Sequence, residues 1–146
     1  MATSEKSIQF KIVTPEGIVY EDTVEQVTLP TTTGQITVLP NHIPLVSLLS
    51  PGALIVKKNG YEIALAVSRG MIEVRPGSKV CVMADTAEHA EAIDTARAEA
   101  AKARAEQLLK QQEQLADVDF ARIQSSIEKE LARLRVATKY RKIPPS

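Results

Sequence analysis

Apolar and polar residues alternate with a period of two along several short segments in the first half of the chain. Ile8, Phe10 and Ile12 alternate with polar residues, and this period is typical of a β-strand with one buried face. Two further alternating segments, LIVKK and YEIALAV, flank Asn59-Gly60. Both of these residues tolerate the positive φ that a type I′ turn requires, so the segments predict a tight hairpin.

Other segments of the first half carry weaker strand signals. The spacing of Val24, Val27 and Leu29 is irregular and suggests a β-bulge. Met71–Val74 and Val80–Met83 predict a second hairpin across a Pro-Gly turn. Many short strands separated by turns predict an antiparallel sandwich or barrel.

The second half of the chain changes to helical spacing. Steps of three to five residues predict two apolar helix stripes, formed by Ile93, Ala96, Ala100, Ala103 and Leu108 and by Phe120, Ile123, Ile127, Leu131 and Leu134. Residues 116–119 between them predict a turn in which an Asp caps the second helix. An alanine stripe buries little area, so we expect this hairpin to be weakly held and able to move.

Glycine and proline divide the chain at the same point. All six glycines and six of the eight prolines lie before residue 80, and residues 78–143 contain neither. This distribution predicts an α+β protein, with an N-terminal antiparallel β-sandwich over residues 1–86 and a C-terminal antiparallel two-helix hairpin over residues 87–146.

Composition excludes several classes of function. The 18 basic residues balance the 18 acidic ones. This balance argues against a protein that binds nucleic acid by neutralising its phosphates. A single cysteine, Cys81, and two histidines, His42 and His89, exclude an internal disulfide and a Cys/His zinc site. No apolar run approaches the roughly 20 residues that span a bilayer, and the first residues lack the apolar stretch of a secretory signal.

No catalytic motif is present either. The chain has neither a glycine-rich phosphate loop nor a nucleophile motif, and its two histidines lie in different predicted domains. We therefore expect no catalytic site, no metal site and no required cofactor. Cys81 is expected to be a buried strand residue.

Four stretches in order resemble one family, the ε subunit of F-type ATP synthases, which is called δ in the mitochondrial enzyme. They are VTPEGIVYEDTVEQVTLPTTTGQITVLPNHIPLV at 13–46, SRGMIEVRPGSKVCVMADTAE at 68–88, IDTARAEAAKARAE at 93–106 and LARLRVA at 131–137. The resemblance covers essentially the whole chain. It implies a ten-stranded sandwich followed by a helical hairpin, as the residue pattern also predicts.

The resemblance implies a rotor subunit of the central stalk. The sandwich of such a subunit contacts the γ subunit and the ring of c subunits, and couples both to the catalytic α and β subunits without chemistry of its own. The hairpin either folds on the sandwich or extends into the catalytic head and inhibits ATP hydrolysis. The complex implies a peripheral location on the cytoplasmic face of a bacterial membrane or on the stromal face of a plastid thylakoid.

The resemblance also implies regulatory ATP binding on the folded hairpin. The motif I/L-D-x-x-R-A matches residues 93–98, and the implied ligand set is Glu88, Ile93, Asp94, Arg97, Ala98, Arg104, Lys129 and Arg133. Arg97 and Arg104 share a helix face and are suited to clamp a polyphosphate, whereas Lys129 replaces an arginine of relatives. The alternative interpretation is a helix start with an Asp against the dipole, followed by solvated arginines.

Two loops match the family's ring-facing loops, at Gly34-Gln35 and Asn41-His42. Gly34 suits a tight turn, and Asn41 and His42 are able to hydrogen-bond the polar loop of a c subunit, while Gln35 stands where relatives often carry Glu. The alternative is a proline-shaped loop with a solvated histidine.

The end of the second helix is basic. By resemblance, Arg133, Arg135, Lys139 and Arg141 contact an acidic segment of the catalytic head in the inhibitory state. The alternative is that these cations only interact with the helix dipole. For the whole chain, the alternative function is a free sandwich adaptor whose hairpin forms a coiled coil with partner helices.

Overall fold

The computed structural model describes residues 6–111 and 117–140 and shows ten strands followed by two helices. The strands are β1 (Ile8–Thr14), β2 (Gly17–Val24), β3 (Gln26–Thr31), β4 (Gly34–Val38), β5 (Leu45–Leu49), β6 (Gly52–Lys58), β7 (Tyr61–Val67), β8 (Gly70–Arg75), β9 (Lys79–Ala84) and β10 (Ala87–His89). A 3₁₀ turn at Ala90–Ala92 leads to α1 (Thr95–Gln111) and α2 (Asp117–Tyr140). The α+β prediction is confirmed.

The ten strands form two layers of a sandwich. Their order is β10-β7-β6-β3-β5-β8-β9-β1-β2, with β4 pairing to β3. β3 and β5 meet at a single pair, Thr31 with Leu49, so the sheet folds over at this point. Among the described residues β1 and β9 are the parallel pair, while the other pairings are antiparallel.

The core lies between the two layers, and the period of two decides which residues fill it. Ile8, Phe10 and Ile12 are buried as predicted, and their neighbours in the core come from eight further strands. On β9 the inward residues are Val80, Val82 and Ala84. Cys81 therefore points outward and is partly exposed, so the prediction that it is buried is wrong.

The predicted turn at Asn59-Gly60 is present in the structure, but the predicted bulge is not. Asn59 and Gly60 have φ of 51° and 79° and join β6 to β7, which confirms the predicted turn. The predicted bulge after Val24 is wrong: the chain bends at Glu25 and changes strand there. The irregular pairing is found between β1 and β2, next to Ile12.

The sheet extends past residue 86, where the sequence placed the end of the sandwich. β10 pairs with the edge of β7, with Ala87 opposite Val67 and His89 opposite Leu65. The backbone of residues 87–89 therefore finds hydrogen-bonding partners at an edge that is otherwise free. This strand leads the chain directly into the hairpin.

The two helices pack against each other, and α2 also packs on the outer face of β6 and β7. Because the connection between the helices is short, they run antiparallel. The contact with the sheet is a cluster of mostly small side chains, namely Ala53, Ile55, Ala64, Ala66, Ala90, Ile93, Val136, Ala137 and Tyr140. We call this set the docking cluster. It is separate from the sandwich core.

The predicted stripe of α1 has the wrong phase. Ala96, Ala100 and Ala103 are exposed, whereas the buried alanines of α1 are Ala98 and Ala105. Alanines occur on every face of this helix, so spacing alone did not identify the face that packs. The stripe of α2 is confirmed from Ile123 to Leu134, but its first member, Phe120, is 52% exposed.

The turn predicted at residues 116–119 is wrong for its last three residues. α2 begins at Asp117, so residues 117–119 belong to the helix instead of the turn. Ala116 lies outside the described residues. No helix within residues 6–111 or 117–140 has the length and apolarity needed to cross a lipid bilayer.

Enlarging a side chain of the docking cluster should release the hairpin without harming the core. We expect Ala66→Leu to cost about 1–3 kcal/mol at this contact, because Ala66 is 3% exposed against α2. Trypsin should then cleave α2 about 5- to 150-fold faster, since 1.4 kcal/mol corresponds to a factor of ten.

The matched control for this measurement is Ala100→Leu, an exposed alanine of α1. Equal cleavage rates for the two variants would contradict the assignment of this face as the docking contact.

Candidate functional site

A cavity of about 630 Å³ opens between the sandwich and the hairpin. The sandwich contributes the turn between β1 and β2 and the connection from β9 to β10, and both helices contribute charged side chains. The lining includes Glu16, Gly17, Asp85, Glu88, Arg97, Arg104, Lys129, Glu130 and Arg133. The cavity exists only while the hairpin is docked, because its walls come from both parts of the chain.

This cavity gathers most of the residues that the sequence assigned to ATP. Glu88 from β10, Arg97 and Arg104 from α1, and Lys129 and Arg133 from α2 all line it. Residues as far apart in sequence as 88 and 133 therefore meet at one place. The resemblance selected these residues, and the fold brings them together.

Among the described residues, the remaining three of the assigned set do not line this cavity. They are Ile93, Asp94 and Ala98. Asp94 precedes α1, and its carboxylate accepts a hydrogen bond from the backbone N–H of Arg97 at 3.0 Å, which is the geometry of an N-cap. Ile93 and Ala98 are fully buried, and Ile93 belongs to the docking cluster. The motif thus starts α1 and anchors it to the sheet.

Three cations of the cavity are available to a ligand. Among the described residues Arg97, Arg104 and Lys129 make no ion pair. Arg97 and Arg104 lie seven residues apart and so share one helix face. Unpaired guanidinium and ammonium groups converging on one cavity favour a ligand with several negative charges.

Arg133, in contrast, is held by two carboxylates. Its guanidinium donates to both oxygens of Glu88 across the junction and to Glu130 on its own helix at 2.7 Å. Hydrogen bonds to Glu88 and then to Glu130 raise the pKa of Arg133 above its already high ordinary value, although burial opposes this. The side chain of Glu130 is only 7% exposed, so this carboxylate depends on Arg133 for compensation.

The sequence reasoning missed Glu130. The available signal was its position three residues before Arg133 on a helix, where side chains of opposite charge meet. It also missed the acidic residues Glu16 and Asp85, which reach the cavity from two turns of the sandwich. No helical spacing connects those turns to α1 or α2, so only the fold reveals them.

The two loops assigned to the c-ring lie at opposite ends of one strand, β4. Gly34 begins β4 with φ of 123°, while Asn41 lies beyond the other end of that strand, which spans about 13 Å at the usual rise of a strand. The N–H of Asn41 donates to Ser78 Oγ at 2.8 Å. His42 Nδ1 lies 2.7 Å from the carbonyl oxygen of Ile43, and Gln35 is exposed.

The basic end of α2 divides into bound and exposed cations. Arg135 and Lys139 are exposed, and the Lys139 ammonium lies 5.3 Å from the ring centroid of Tyr140. Arg133 is bound by Glu88 across the contact with the sandwich and by Glu130 on its own helix, so it differs from the two exposed cations. Arg141 lies outside the described residues.

An apolar strip crosses the outer face of the layer opposite the hairpin. Leu48 on β5 lies opposite Met71 on β8, which lies opposite Met83 on β9. These side chains are 57%, 43% and 44% exposed. We call these three residues the apolar strip. Adjacent exposed apolar side chains on a sheet mark a surface for protein contact.

Comparison with known proteins identifies the family. Residues 7–90 match the β-sandwich domain of the ATP synthase Delta/Epsilon chain, and residues 91–138 match the long alpha-helix domain of the same chain. The chain belongs to the delta/epsilon chain family of ATP synthase. The ATP synthase epsilon chain of Bacillus cytotoxicus is 46% identical over 90% of this chain and 97% of its own. That of Nitratidesulfovibrio vulgaris is 46% identical over 90% and 96%.

Solved structures of the family share the fold. A chain of the Euglena gracilis mitochondrial ATP synthase, from an assembly of OSCP, F1 and c-ring, superposes with a TM-score of 0.71 at 25% identity. The match covers 91% of this chain and 81% of that one. A chain of the central stalk and c-ring of the Tetrahymena thermophila enzyme has a TM-score of 0.56 at 15% identity, covers 93% of this chain and 97% of its own, and shows the fold alone.

Removing Arg133 should destabilise the docked hairpin. We expect Arg133→Gln to lower the free energy of unfolding by about 3 kcal/mol, because it leaves the buried Glu130 carboxylate unpaired. The double variant Glu130→Gln/Arg133→Gln should recover part of this loss, because it removes the unpaired charge. Urea denaturation followed by circular dichroism measures both.

Arg135→Gln serves as the control, since Arg135 is an exposed cation of the same helix. If Arg133→Gln and Arg135→Gln had the same midpoint, the cluster would not hold the hairpin.

Proposed function

We propose that this chain is the non-catalytic central-stalk subunit of a proton-translocating F-type ATP synthase. We further propose that ATP in the cavity between the sandwich and the hairpin holds the hairpin docked. The supporting observation is the convergence of Arg97, Arg104 and Lys129 on a cavity shared by the hairpin and the sandwich. The sandwich transmits rotation between the c-ring, γ and the catalytic head. Undocked, the hairpin reaches the α and β subunits and inhibits ATP hydrolysis.

The size and chemistry of the cavity suit a nucleotide triphosphate. Small-molecule sites in proteins occupy about 300–1,000 Å³, and this cavity of about 630 Å³ lies within that range. Arg97 and Arg104 bind the polyphosphate with forked hydrogen bonds. Lys129 adds a third positive charge, though as a point charge without the fork. Glu88 accepts a hydrogen bond from an amino or hydroxyl group of the nucleoside, which replaces the hydrogen bonds that it accepts from Arg133.

Ligand binding and docking are thermodynamically coupled. A ligand that binds only the docked state stabilises that state by RT ln(1 + [L]/Kd). The docking cluster consists mainly of alanine, so its own contribution to docking is small and a ligand contribution of a few kcal/mol decides the balance. Low ATP then releases the hairpin, and this release restrains hydrolysis when ATP is scarce.

The released hairpin carries the cations that act on the catalytic head. Arg135 and Lys139 are exposed already, and Arg133 joins them when it separates from Glu88. The partner surface is an acidic segment of the catalytic subunits. Glu130 stays beside Arg133 on the same helix and weakens the attraction between Arg133 and that acidic segment.

The apolar strip supplies the permanent contact with γ. It lies on the layer opposite the docking cluster, so γ is able to hold the sandwich while the hairpin moves. The ring-facing loops at Gly34-Gln35 and Asn41-His42 complete the contacts with the c-ring. The whole assembly places the chain peripherally on the cytoplasmic face of the membrane.

The adaptor hypothesis has less support. Its hairpin would offer apolar faces to partner helices, but α1 and α2 pack on each other and α2 also packs on the sheet. The docked hairpin therefore uses these faces within the chain.

Removing one guanidinium should weaken nucleotide binding. We expect Arg97→Ala to raise the dissociation constant of ATP about 10-fold or more, because a hydrogen bond to a charged group contributes about 1.5–3 kcal/mol. Isothermal titration calorimetry of the full chain measures this change. Arg135→Ala, which lies outside the cavity, should bind like the wild type, and equal weakening in both variants would contradict the proposed site.

Charging the apolar strip should abolish the contact with γ. We expect Leu48→Glu to lose co-elution with γ in size-exclusion chromatography, because a carboxylate would be buried without a partner. Phe120→Glu changes a side chain of similar exposure on the hairpin and should retain γ. Loss of γ in the Phe120 variant alone would place the interface on the hairpin instead.

Removing the hairpin should activate hydrolysis in the assembled complex. A chain that ends at Ala92 keeps all ten strands, so we expect rotation to stay coupled while the ATPase rate rises several-fold. Proton pumping driven by ATP checks the coupling. An unchanged ATPase rate would remove the inhibitory role from the proposal.

A further inference from the structure

A second cavity of about 280 Å³ lies beside the first, between the N-terminal half of α2 and the sandwich. We propose that it binds an oxyanion of the phosphate class, which bridges α2 to the loops that follow β7 and β9. α2 contributes Arg122, Ser125, Ser126 and Lys129, and the sandwich contributes Arg69 and Asp85 among its lining residues. With inorganic phosphate as the ligand this site is independent of the proposed binding of ATP, whereas with the terminal phosphate of a nucleotide it rests on that proposed function.

The helical residues of this cavity occupy one face of α2. Arg122, Ser125, Ser126 and Lys129 follow the spacing i, i+3, i+4 and i+7, which places them side by side on a helix. Further along α2, Val136 and Ala137 face the sheet and pack in the docking cluster. At its N-terminal half the helix therefore presents a polar, cationic face to the sandwich where apolar packing would otherwise be expected.

The charge of the cavity is positive. Arg69, Arg122 and Lys129 face one carboxylate of the lining, Asp85. Arg69 donates to Glu128 at 2.9 Å through one terminal nitrogen, Nη2, and its other N–H groups are not used by that bond. Within residues 6–111 and 117–140, Arg122 and Lys129 make no ion pair. These two cations thus lack the compensation that Arg133 receives.

Hydroxyl groups complete the set of donors. Ser125 and Ser126 have no hydrogen bond from their side chains to any described residue, whereas Ser68 already binds the backbone of Thr86. Two free hydroxyls between two free cations match the acceptor-rich surface of a tetrahedral oxyanion. A cationic ligand would be repelled by Arg122 and Lys129, and an apolar ligand would make no use of these donors.

The oxyanion has two possible sources with the same chemistry. It is either free inorganic phosphate or a terminal phosphate of a nucleotide in the neighbouring cavity, since Lys129 lines both cavities. In both cases it joins the hairpin to the sandwich and so favours the docked state. Phosphate would then act on the hairpin in the same direction as ATP.

The test is a nuclear magnetic resonance titration of the full ¹⁵N-labelled chain with inorganic phosphate, in which sodium chloride holds the ionic strength constant. We expect saturable shifts of the Arg69, Ser125 and Ser126 amides with a dissociation constant in the millimolar range. Arg122→Gln should weaken this binding at least about fivefold, because it removes a charge-assisted hydrogen bond. Ser126→Ala is a second, milder variant, and Arg135→Gln is the control.

A second arm distinguishes the sources by titration with AMP and ATP. Suppose that Arg122→Gln weakens the binding of ATP but not of AMP, and that the amide shifts do not saturate with inorganic phosphate alone. The oxyanion is then the end of the polyphosphate, and the site stands. If Arg122→Gln changes the dissociation constant of neither phosphate nor ATP, or if Arg135→Gln changes them equally, the site is overturned. ATP binding that is lost in Arg97→Ala but unchanged in Arg122→Gln would retain the proposed function and remove only this site.

Discussion

The contact between α2 and the outer face of β6 and β7 determines how the two parts of this chain fit together. Ala64 and Ala66 on the strand and Ala137 on the helix let the backbones approach closely, but they remove little apolar area from water. The sandwich has a separate core of large side chains. The chain therefore combines a self-sufficient sandwich with a hairpin that needs additional interactions to stay docked.

Those additional interactions are polar and lie beside the alanine contact. Arg133 joins α2 to Glu88 of β10, and two cavities with unpaired cations border the same helix. Each anion that binds there contacts both the hairpin and the sandwich, so its binding free energy adds to docking. A weak apolar contact is what makes such regulation effective, because an extensive apolar interface would hold the hairpin whether a ligand is present or not.

The sequence predicts the sandwich well because its signals are local. Alternation identifies Ile8, Phe10 and Ile12 as core, and Asn59-Gly60 specifies its turn through backbone conformation alone. It predicts α1 poorly, since alanine at positions 96, 98, 100, 101, 103 and 105 gives no contrast between faces. Of the cavity, family resemblance supplied the basic residues, and helical spacing next to Arg133 was a local signal for Glu130. Glu16 and Asp85 reach the cavity through tertiary contacts that no local pattern encodes.

Native-state hydrogen exchange of the full chain tests most directly whether the hairpin opens independently of the sandwich. Amides of α1 and α2 should exchange together through an opening whose free energy is well below that of β1, β8 and β9. Added ATP should raise the free energy of that opening and leave the strands unchanged. If helix and strand amides shared one opening free energy, the hairpin and sandwich would be a single cooperative unit and the account would fail.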